Sequence, residues 1–277
     1  SLYPSIWKNS ILTPLHKAGE LSDPNNFRGV AVSSCLGKLF NKILNTRLEV
    51  KCVNEGLIND CQGSSKKGSR TADHLLIIRF LIDKYVNASG KKLFACFFDI
   101  RKAYDTVPRN LLFYTLLKDY KIGGNFLKIL QQMYSENNIY IKLSDGCCDP
   151  FVSTVGVLQG ETNSPLIFNL FVNKISEVFD DSCEPVLINN TKQSCLLWSD
   201  DLFVVSQSAE GLQNAINNVV AFYDSLGLQC NSKKTKILIF NKSGRVLKGF
   251  KFFLNGIELE VVESYQYLGI NVRPSGS

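Results

Sequence analysis

An α+β fold is predicted by three features of this sequence. Short apolar runs rich in Val, Leu and aromatic residues read as buried strands, and two of them end in aspartates. One run, over 93–98, delivers Asp99; the other, over 195–198, leads through Ser199 into Asp200-Asp201 and a further apolar run. Between and around these strands, apolar residues recur at helical spacing in several stretches. With 277 residues, 45% hydrophobic and 20% charged, the chain can bury a large core, as one big domain or two lobes.

In chain order, residues 1–33 read as irregular, with Pro4, Pro14, Pro24 and Gly29 as breakers. Leu36, Leu39, Phe40, Ile43, Leu44 and Leu48 predict a helix over 34–53. The polar loop over 62–70 carries Lys66, Lys67 and Arg70 among glycines and serines, either a solvated linker or a phosphate-contacting segment. Thr71 and Asp73 open a second helix, over 71–88, along Leu75, Leu76, Ile78, Phe80, Leu81 and Tyr85. Beyond Asp99, helices are expected over 108–120 and 124–135. Strands over 137–143 and 151–155 follow, joined by a turn at Asp145-Gly146. Ser164-Pro165 reads as the N-cap and first position of a helix over 166–179, fed by the glycine-containing loop 156–165. A loop entering a helix N-terminus in this way is suited to an anion or nucleotide. A helix over 209–226 ends at Gly227. Strand-like runs at 237–240, 250–254 and 259–262 then lead to Tyr265-Gln266-Tyr267-Leu268-Gly269-Ile270.

Composition narrows the chemistry. The nine cysteines are an odd count with no Cys-x-x-Cys pair, and Cys35, Cys96 and Cys195 lie in apolar runs, as buried thiols of a reducing compartment do. Only His16 and His74 are present, which argues against a His-based metal site or a Ser-His-Asp mechanism. No apolar run approaches a membrane span and no signal peptide is visible. The sole methionine is Met133, so the chain is expected to be a piece of something longer. The net charge of +6 is uneven: basic N- and C-terminal parts flank an acidic centre. That pattern suits a protein holding a polyanion at its edges and metal ions in the middle.

Asp200 and Asp201 at the tip of a buried hairpin are costly unless something neutralises them, and a divalent cation with a taste for carboxylate oxygen does so. The alternative is a solvated Asp-rich turn. Asp99 weighs against it, because two strands that each end in carboxylates can converge in one sheet. That is the arrangement a two-metal phosphoryl-transfer site needs.

The blocks Phe98-Asp99-x-x-x-Ala103-Tyr104-Asp105, Gln159-Gly160-x-x-x-Ser164-Pro165 and Asp200-Asp201 stand in that order. Gly227-Leu228-x-x-Asn231-x-x-Lys234-Thr235-Lys236 and Tyr267-Leu268-Gly269 follow them. Pro14-Leu15-x-Lys17-x-Gly19, Asn26-Phe27-Arg28 and the loop 62–71 precede them. In order and spacing the series resembles the reverse transcriptase domain of non-LTR (LINE-type) retrotransposons. The resemblance implies a right-hand polymerase palm, an antiparallel sheet with helices on one face, plus fingers, the thumb being missing. Fingers would occupy 1–92 and the palm 93–245, with 156–165 as the nucleotide-contacting loop. Residues 246–277 would form the palm end, with primer-grip-like strands.

By the same resemblance, Asp99 and Asp200 would hold two Mg²⁺ ions (Mn²⁺ as substitute), with Asp201 nearby and the Ile100 carbonyl as a further ligand. A DNA primer 3′-hydroxyl on an RNA template would attack the α-phosphate of a dNTP. Tyr104 would lie under the sugar and exclude a 2′-hydroxyl. Gln159 and Gly160 would touch the incoming nucleotide and template. Arg28, with Lys17, Lys66 and Arg70, would hold the triphosphate, and Lys234 would protonate the pyrophosphate. Flanking endonuclease and thumb segments of a longer polyprotein, and an intracellular ribonucleoprotein in nucleus and cytoplasm, are implied as well.

The chain departs from the family pattern at four places. Trp198-Ser199 stands for Tyr or Phe followed by Ala, Leu158 for Arg, Glu161-Thr162 for Cys-Pro, and Ser64-Ser65-Lys66 for Gly-Phe-Arg. These favour a second reading, a catalytically decayed nucleic-acid-binding scaffold. A third, an RNA-templated RNA polymerase, predicts a small or acidic residue in place of Tyr104.

Overall fold

The computed structural model describes residues 3–17, 19–143 and 146–276. The chain divides into two compact units, each built from two segments: residues up to 57 with 104–171, and 58–103 with 172–277. Compactness therefore does not follow chain order, and the boundaries expected at 92 and 245 are not those of the compact units.

In the first unit, strand Ser10–His16 runs antiparallel to Phe27–Ser33, from Ser10 opposite Ser33 to His16 opposite Phe27. Its first three residues also pair in parallel with Ile139–Ile141 of strand Asn137–Leu143, which in turn pairs with Phe151–Ser153. The sequence hid the first two strands because Pro14 and Gly29 look like breakers. In the sheet these residues face each other, and Pro14 lies beyond the parallel pairing, where a missing N–H costs nothing. Gly29 is bare for a reason: a Cβ there would sit 2.8 Å from the Leu12 side chain.

Helix Cys35–Asn54 begins at its Ser34 N-cap, as expected, but Cys35 is exposed, not buried. Helices Arg109–Lys118 and Gly124–Tyr134 follow the predicted pattern. The strand expected to 155 stops at Ser153. Of the turn at Asp145-Gly146, Asp145 lies outside the described residues. The helix expected over 166–179 is an α-helix over Ser164–Val172 followed by a 3-10 segment, Asn173–Val178. Its first backbone bond, Ile167 N to Asn163 O, starts the helix earlier than the Ser164-Pro165 cap would.

Arg109 is the organising residue of this unit. Its guanidinium is buried and donates five hydrogen bonds, to the carbonyls of Tyr134, Ser153, Val155 and Gly156 and to Ser153 Oγ. It also lies over the Tyr134 ring, 5.0 Å from its centroid. One side chain thus joins two helices, a strand and the start of the 156–165 loop. Its burial pulls the guanidinium pKa down, but a group that begins far above neutrality stays charged.

The second unit is built on strand Leu93–Phe98, every residue of which is buried. It runs antiparallel to Asp201–Ser206 on one side (Leu202 opposite Phe98) and to Lys236–Phe240 on the other (Lys236 opposite Phe97). Cys195–Trp198 and Glu260–Val261 form the two edges. Six consecutive buried residues require cover on both faces of the sheet. Helix Ala209–Ser225 supplies one layer, turning Leu212, Ala215, Ile216, Val219 and Tyr223 inward against the two central strands. Ala95, Phe97, Phe203, Val205 and Leu238 instead pack with Ile78, Leu81, Ile82, Tyr85 and Val86. These five lie on helix Thr71–Leu81 and its π-helical continuation Ile82–Ala88, together the helix expected over 71–88. Hairpin Tyr265–Tyr267/Ile270–Val272 joins the same layer through Tyr267 and Val272. Its turn is Leu268-Gly269, both at positive φ.

Candidate active site

Antiparallel pairing of the two central strands decides where the aspartates go. Leu202 opposes Phe98, so the next step along each strand brings Asp201 and Asp99 to the same end of the sheet. Asp200 and Ser199 form the turn between Cys195–Trp198 and Asp201–Ser206, with Ser199 in the left-handed region at φ 60°.

The strand carrying Asp99 continues under a strap formed by residues 229–235. Arg101 N donates to Gln229 O, Ile100 bridges Cys230, and Asn231 N donates to Asp99 O at 2.8 Å. Asn231 Nδ2 also donates to Asp99 Oδ2 at 3.1 Å, and Asp99 N donates to Thr235 Oγ1 at 3.2 Å. The Asp99 carboxylate is thereby aimed by its neighbours. Lys234 is exposed and lies within the strap, its N bonded to Asn231 O.

The neighbouring carboxylates act on Asp201. Desolvation, then the charges of Asp200 and Asp99, raise the Asp201 pKa to about 6. Asp201 retains exposed surface, so like-charge repulsion is the part of this shift most relevant to ion binding. Tyr265 stacks on Phe97 (centroids 4.3 Å apart, 15° between planes). Its pKa is pushed up to about 12 by burial and then by the charges of Asp201 and Asp99.

The donor set is all oxygen, which fits a hard divalent cation rather than zinc or copper. Among the described residues no three His, Cys, Asp or Glu side chains converge as a cage for one ion.

A pH dependence follows. Asp201 has its folded-state pKa raised above the unfolded value. It therefore favours the native state when protonated, and this contribution is lost as pH rises through about 6. An ion held at these carboxylates would compete with the proton on Asp201, so thermal stabilisation by added Mg²⁺ is expected to be larger above pH about 7 than below pH about 5. Melting curves with and without Mg²⁺ across that range check it; equal stabilisation throughout would contradict it.

Two other sequence-predicted residues belong to this unit. Lys66 and Arg70 are exposed on the loop, and Lys66 is engaged with Asp60 at 2.7 Å. Asp73 Oδ2 accepts from Arg70 N at 2.7 Å, which fixes the start of helix Thr71–Leu81.

Arg28, Tyr104, Gln159 and Gly160 belong to the first unit. Arg28 is exposed on strand Phe27–Ser33. Tyr104 is half-buried and stacks on Phe168 of helix Ser164–Val172, 4.6 Å between centroids at 17°. Val157 N donates to Tyr104 O, Ala31 N to Gln159 O, and Gln159 Nε2 to Asp105 Oδ1. These bonds tie the loop 156–165 to both the segment after Asp99 and the strand bearing Arg28. Gly160 sits at φ 108°, and a Cβ there would lie 2.6 Å from Ala31 O, so the close approach requires glycine. Glu161, a departure from the family pattern, is buried with its carboxylate accepting from Asn41 Nδ2 at 2.7 Å. It holds the loop to helix Cys35–Asn54 and faces inward.

The sequence reading missed Asn231 and Thr235 as holders of Asp99, and Tyr265 as a neighbour of the carboxylates. Asn231 and Thr235 lay within a quoted block, so their polar side chains beside Lys234 were the available signal.

The sequence matches the family described as reverse transcriptase (RNA-dependent DNA polymerase) over residues 15–272. The Pol polyprotein of the type-2 retrotransposable element R2DM of Drosophila melanogaster is 24% identical over 263 residues, 91% of this chain and 24% of that protein. The Pol polyprotein of the type-1 element R2 of Popillia japonica is 25% identical, over 96% of this chain and 38% of that protein. The chain thus spans well under half the length of these relatives. Among solved structures, apo telomerase from Candida tropicalis superposes with a TM-score of 0.64 at 14% identity, over 97% of this chain and 47% of that one. Telomerase from Candida albicans, in complex with a TWJ fragment of telomeric RNA, gives 0.62 at 13%, over 99% and 47%. At these identities the likeness is one of fold.

Proposed function

The chain belongs to the reverse transcriptase (RNA-dependent DNA polymerase) family, and on that premise we propose that it extends a DNA primer with dNTPs on an RNA template. The observation that carries this reading is the meeting of Asp99 and Asp201 at one sheet end, with Asp200 in the adjoining turn. Divalent ions, which this family uses, would there activate the primer hydroxyl and offset the triphosphate's charge.

The protein's own groups divide the remaining work. Asp99 and Asp200 would hold the ions, with Asp201 and the Ile100 carbonyl completing the protein's share. Lys234, exposed within the strap, would deliver a proton to the departing pyrophosphate. Tyr104, kept flat by Phe168, lies under the sugar and rejects a 2′-hydroxyl by contact. Gln159 and Gly160 form the nucleotide edge, and Arg28 with Arg70 and Lys66 attracts the triphosphate. Lys66 must exchange its partner Asp60 to do so. In these terms the sheet holding the aspartates is the palm, and the sheet bearing Arg28 belongs to the fingers. The natural setting is a longer Pol polyprotein in an intracellular ribonucleoprotein, with endonuclease and thumb segments supplied elsewhere.

The second reading, a decayed scaffold, is favoured by Leu158, where the family carries Arg. Glu161 and Trp198 weigh less, because each has packing of its own. Single-nucleotide addition distinguishes the readings. With a primer on an RNA template, Mg²⁺ and one dNTP at a time, addition is expected only of the complementary dNTP. Equal use of ribonucleotides, or template-independent addition, would overturn the polymerase reading as stated.

A further inference from the structure

Gln62 is the first residue of the basic loop and is completely buried. Its backbone neighbours explain why. Leu197 N donates to Cys61 O and Gly63 N donates to Leu197 O, both at 2.8 Å, which lays residues 61–63 alongside the edge strand Cys195–Trp198. From there the Gln62 side chain reaches the turn. Its Oε1 accepts from Ser64 N (3.0 Å), Ser64 Oγ (2.8 Å) and Ser199 N (3.1 Å). Ser199 is the residue directly before Asp200 and sits in the left-handed region, a conformation that a non-glycine residue keeps only when its surroundings enforce it. Trp198, on the other side of Ser199, is fixed as well. A Cβ on Gly63 would come within 2.8 Å of its ring, and His74 meets it edge-on at 5.4 Å. His74 Nδ1 in turn bonds the Tyr267 hydroxyl at 3.2 Å, and burial lowers its pKa, keeping the ring neutral. The unusual Trp198-Ser199 pair is therefore built into its own support.

We propose that Gln62 is the positioning residue of the aspartate turn: by accepting from the Ser199 N–H, it holds Asp200 and Asp201 in the conformation that receives divalent ions. The inference rests on the reading of these aspartates as ion ligands. It predicts that losing the Gln62 oxygen weakens ion binding in a folded protein that still binds primer–template.

The test uses Trp198 as reporter. The sequence contains two tryptophans, so a Trp7→Phe background leaves only the one beside the turn, and Mn²⁺ quenching of its emission measures ion binding. Gln62→Met, which keeps the shape and removes the acceptor, is expected to weaken Mn²⁺ binding about 10–100-fold, as loss of a ligand-orienting partner does. The kcat for single-nucleotide addition should fall by a similar factor, with the dNTP KM changed less than about threefold. Ser64→Ala removes a buried hydroxyl from the same oxygen but leaves the Ser199 bond, and is expected to match the parent in both readouts. Parental Mn²⁺ affinity and kcat in a folded Gln62→Met, or equal losses in Gln62→Met and Ser64→Ala, would overturn the proposal. Where Gln62→Met does not fold, Gln62→Asn, whose amide is one methylene too short, decides in its place: the same loss supports the proposal and parental values refute it. If the parent shows no Mn²⁺ quenching that Asp99→Asn with Asp200→Asn removes, the ion-ligand reading itself fails and takes this inference with it.

Discussion

Asp99→Asn is expected to lower single-nucleotide addition by on the order of a thousandfold or more, a loss of about 4 kcal/mol in transition-state stabilisation. The substitution is nearly isosteric, so the strand and its cover stay in place. Asn231 Nδ2 would still find an oxygen at position 99, because an amide keeps one. What disappears is the charge. Two consequences separate this from a folding defect. Primer–template binding should change less than about threefold, since affinity for the polyanion rests on cations elsewhere. The apo protein should also melt higher at neutral pH, because removing one of three repelling carboxylates relieves Asp201, whose pKa should fall from about 6. Lower activity together with a lower melting point would point instead to a structural role for Asp99.

Arg109→Leu is expected to destabilise the first unit by about 3–5 kcal/mol, measured as a drop in the urea midpoint. The change strands four backbone carbonyls, those of Tyr134, Ser153, Val155 and Gly156, away from their donor. Leucine is too short to reach these acceptors and offers them no donor. Arg109→Lys should recover only part of the loss. A point-charge ammonium with three donors cannot reproduce the planar fork that spans these acceptors and stacks on Tyr134. Because Gly156 begins the loop that carries Gln159 and Gly160, milder variants should raise the dNTP KM before they lower kcat. A variant as stable as the parent would show that the buried guanidinium is dispensable.

Legibility in the sequence tracked how local the information was. The runs ending at Asp99 and Asp200 could be read because burial, strand periodicity and carboxylates fall within a few residues of one another. Helices with regular apolar spacing were found to within a few residues for the same reason. Strands Ser10–His16 and Phe27–Ser33 could not be seen, since Pro14 and Gly29 become sensible only once placed opposite each other. Arg109 looks like any cation at the start of a helix; its acceptors lie 25 to 47 residues away. Gln62 reads as a polar loop residue until pairing with Leu197, 135 positions on, shows what it supports. Lys66 was named for its charge, but its neighbour Asp60 already holds it. Glu161, which looked like decay, is a buried tie to Asn41.

The central claim is that the carboxylates at the end of the palm sheet carry templated DNA synthesis. The most direct test is addition of a single complementary dNTP to a primer on an RNA template with Mg²⁺, by the parent and Asp200→Ala side by side at high protein concentration. The account predicts addition by the parent, none by Asp200→Ala, and equal primer–template binding by both. Binding by both with addition by neither would contradict it and leave the scaffold reading in its place.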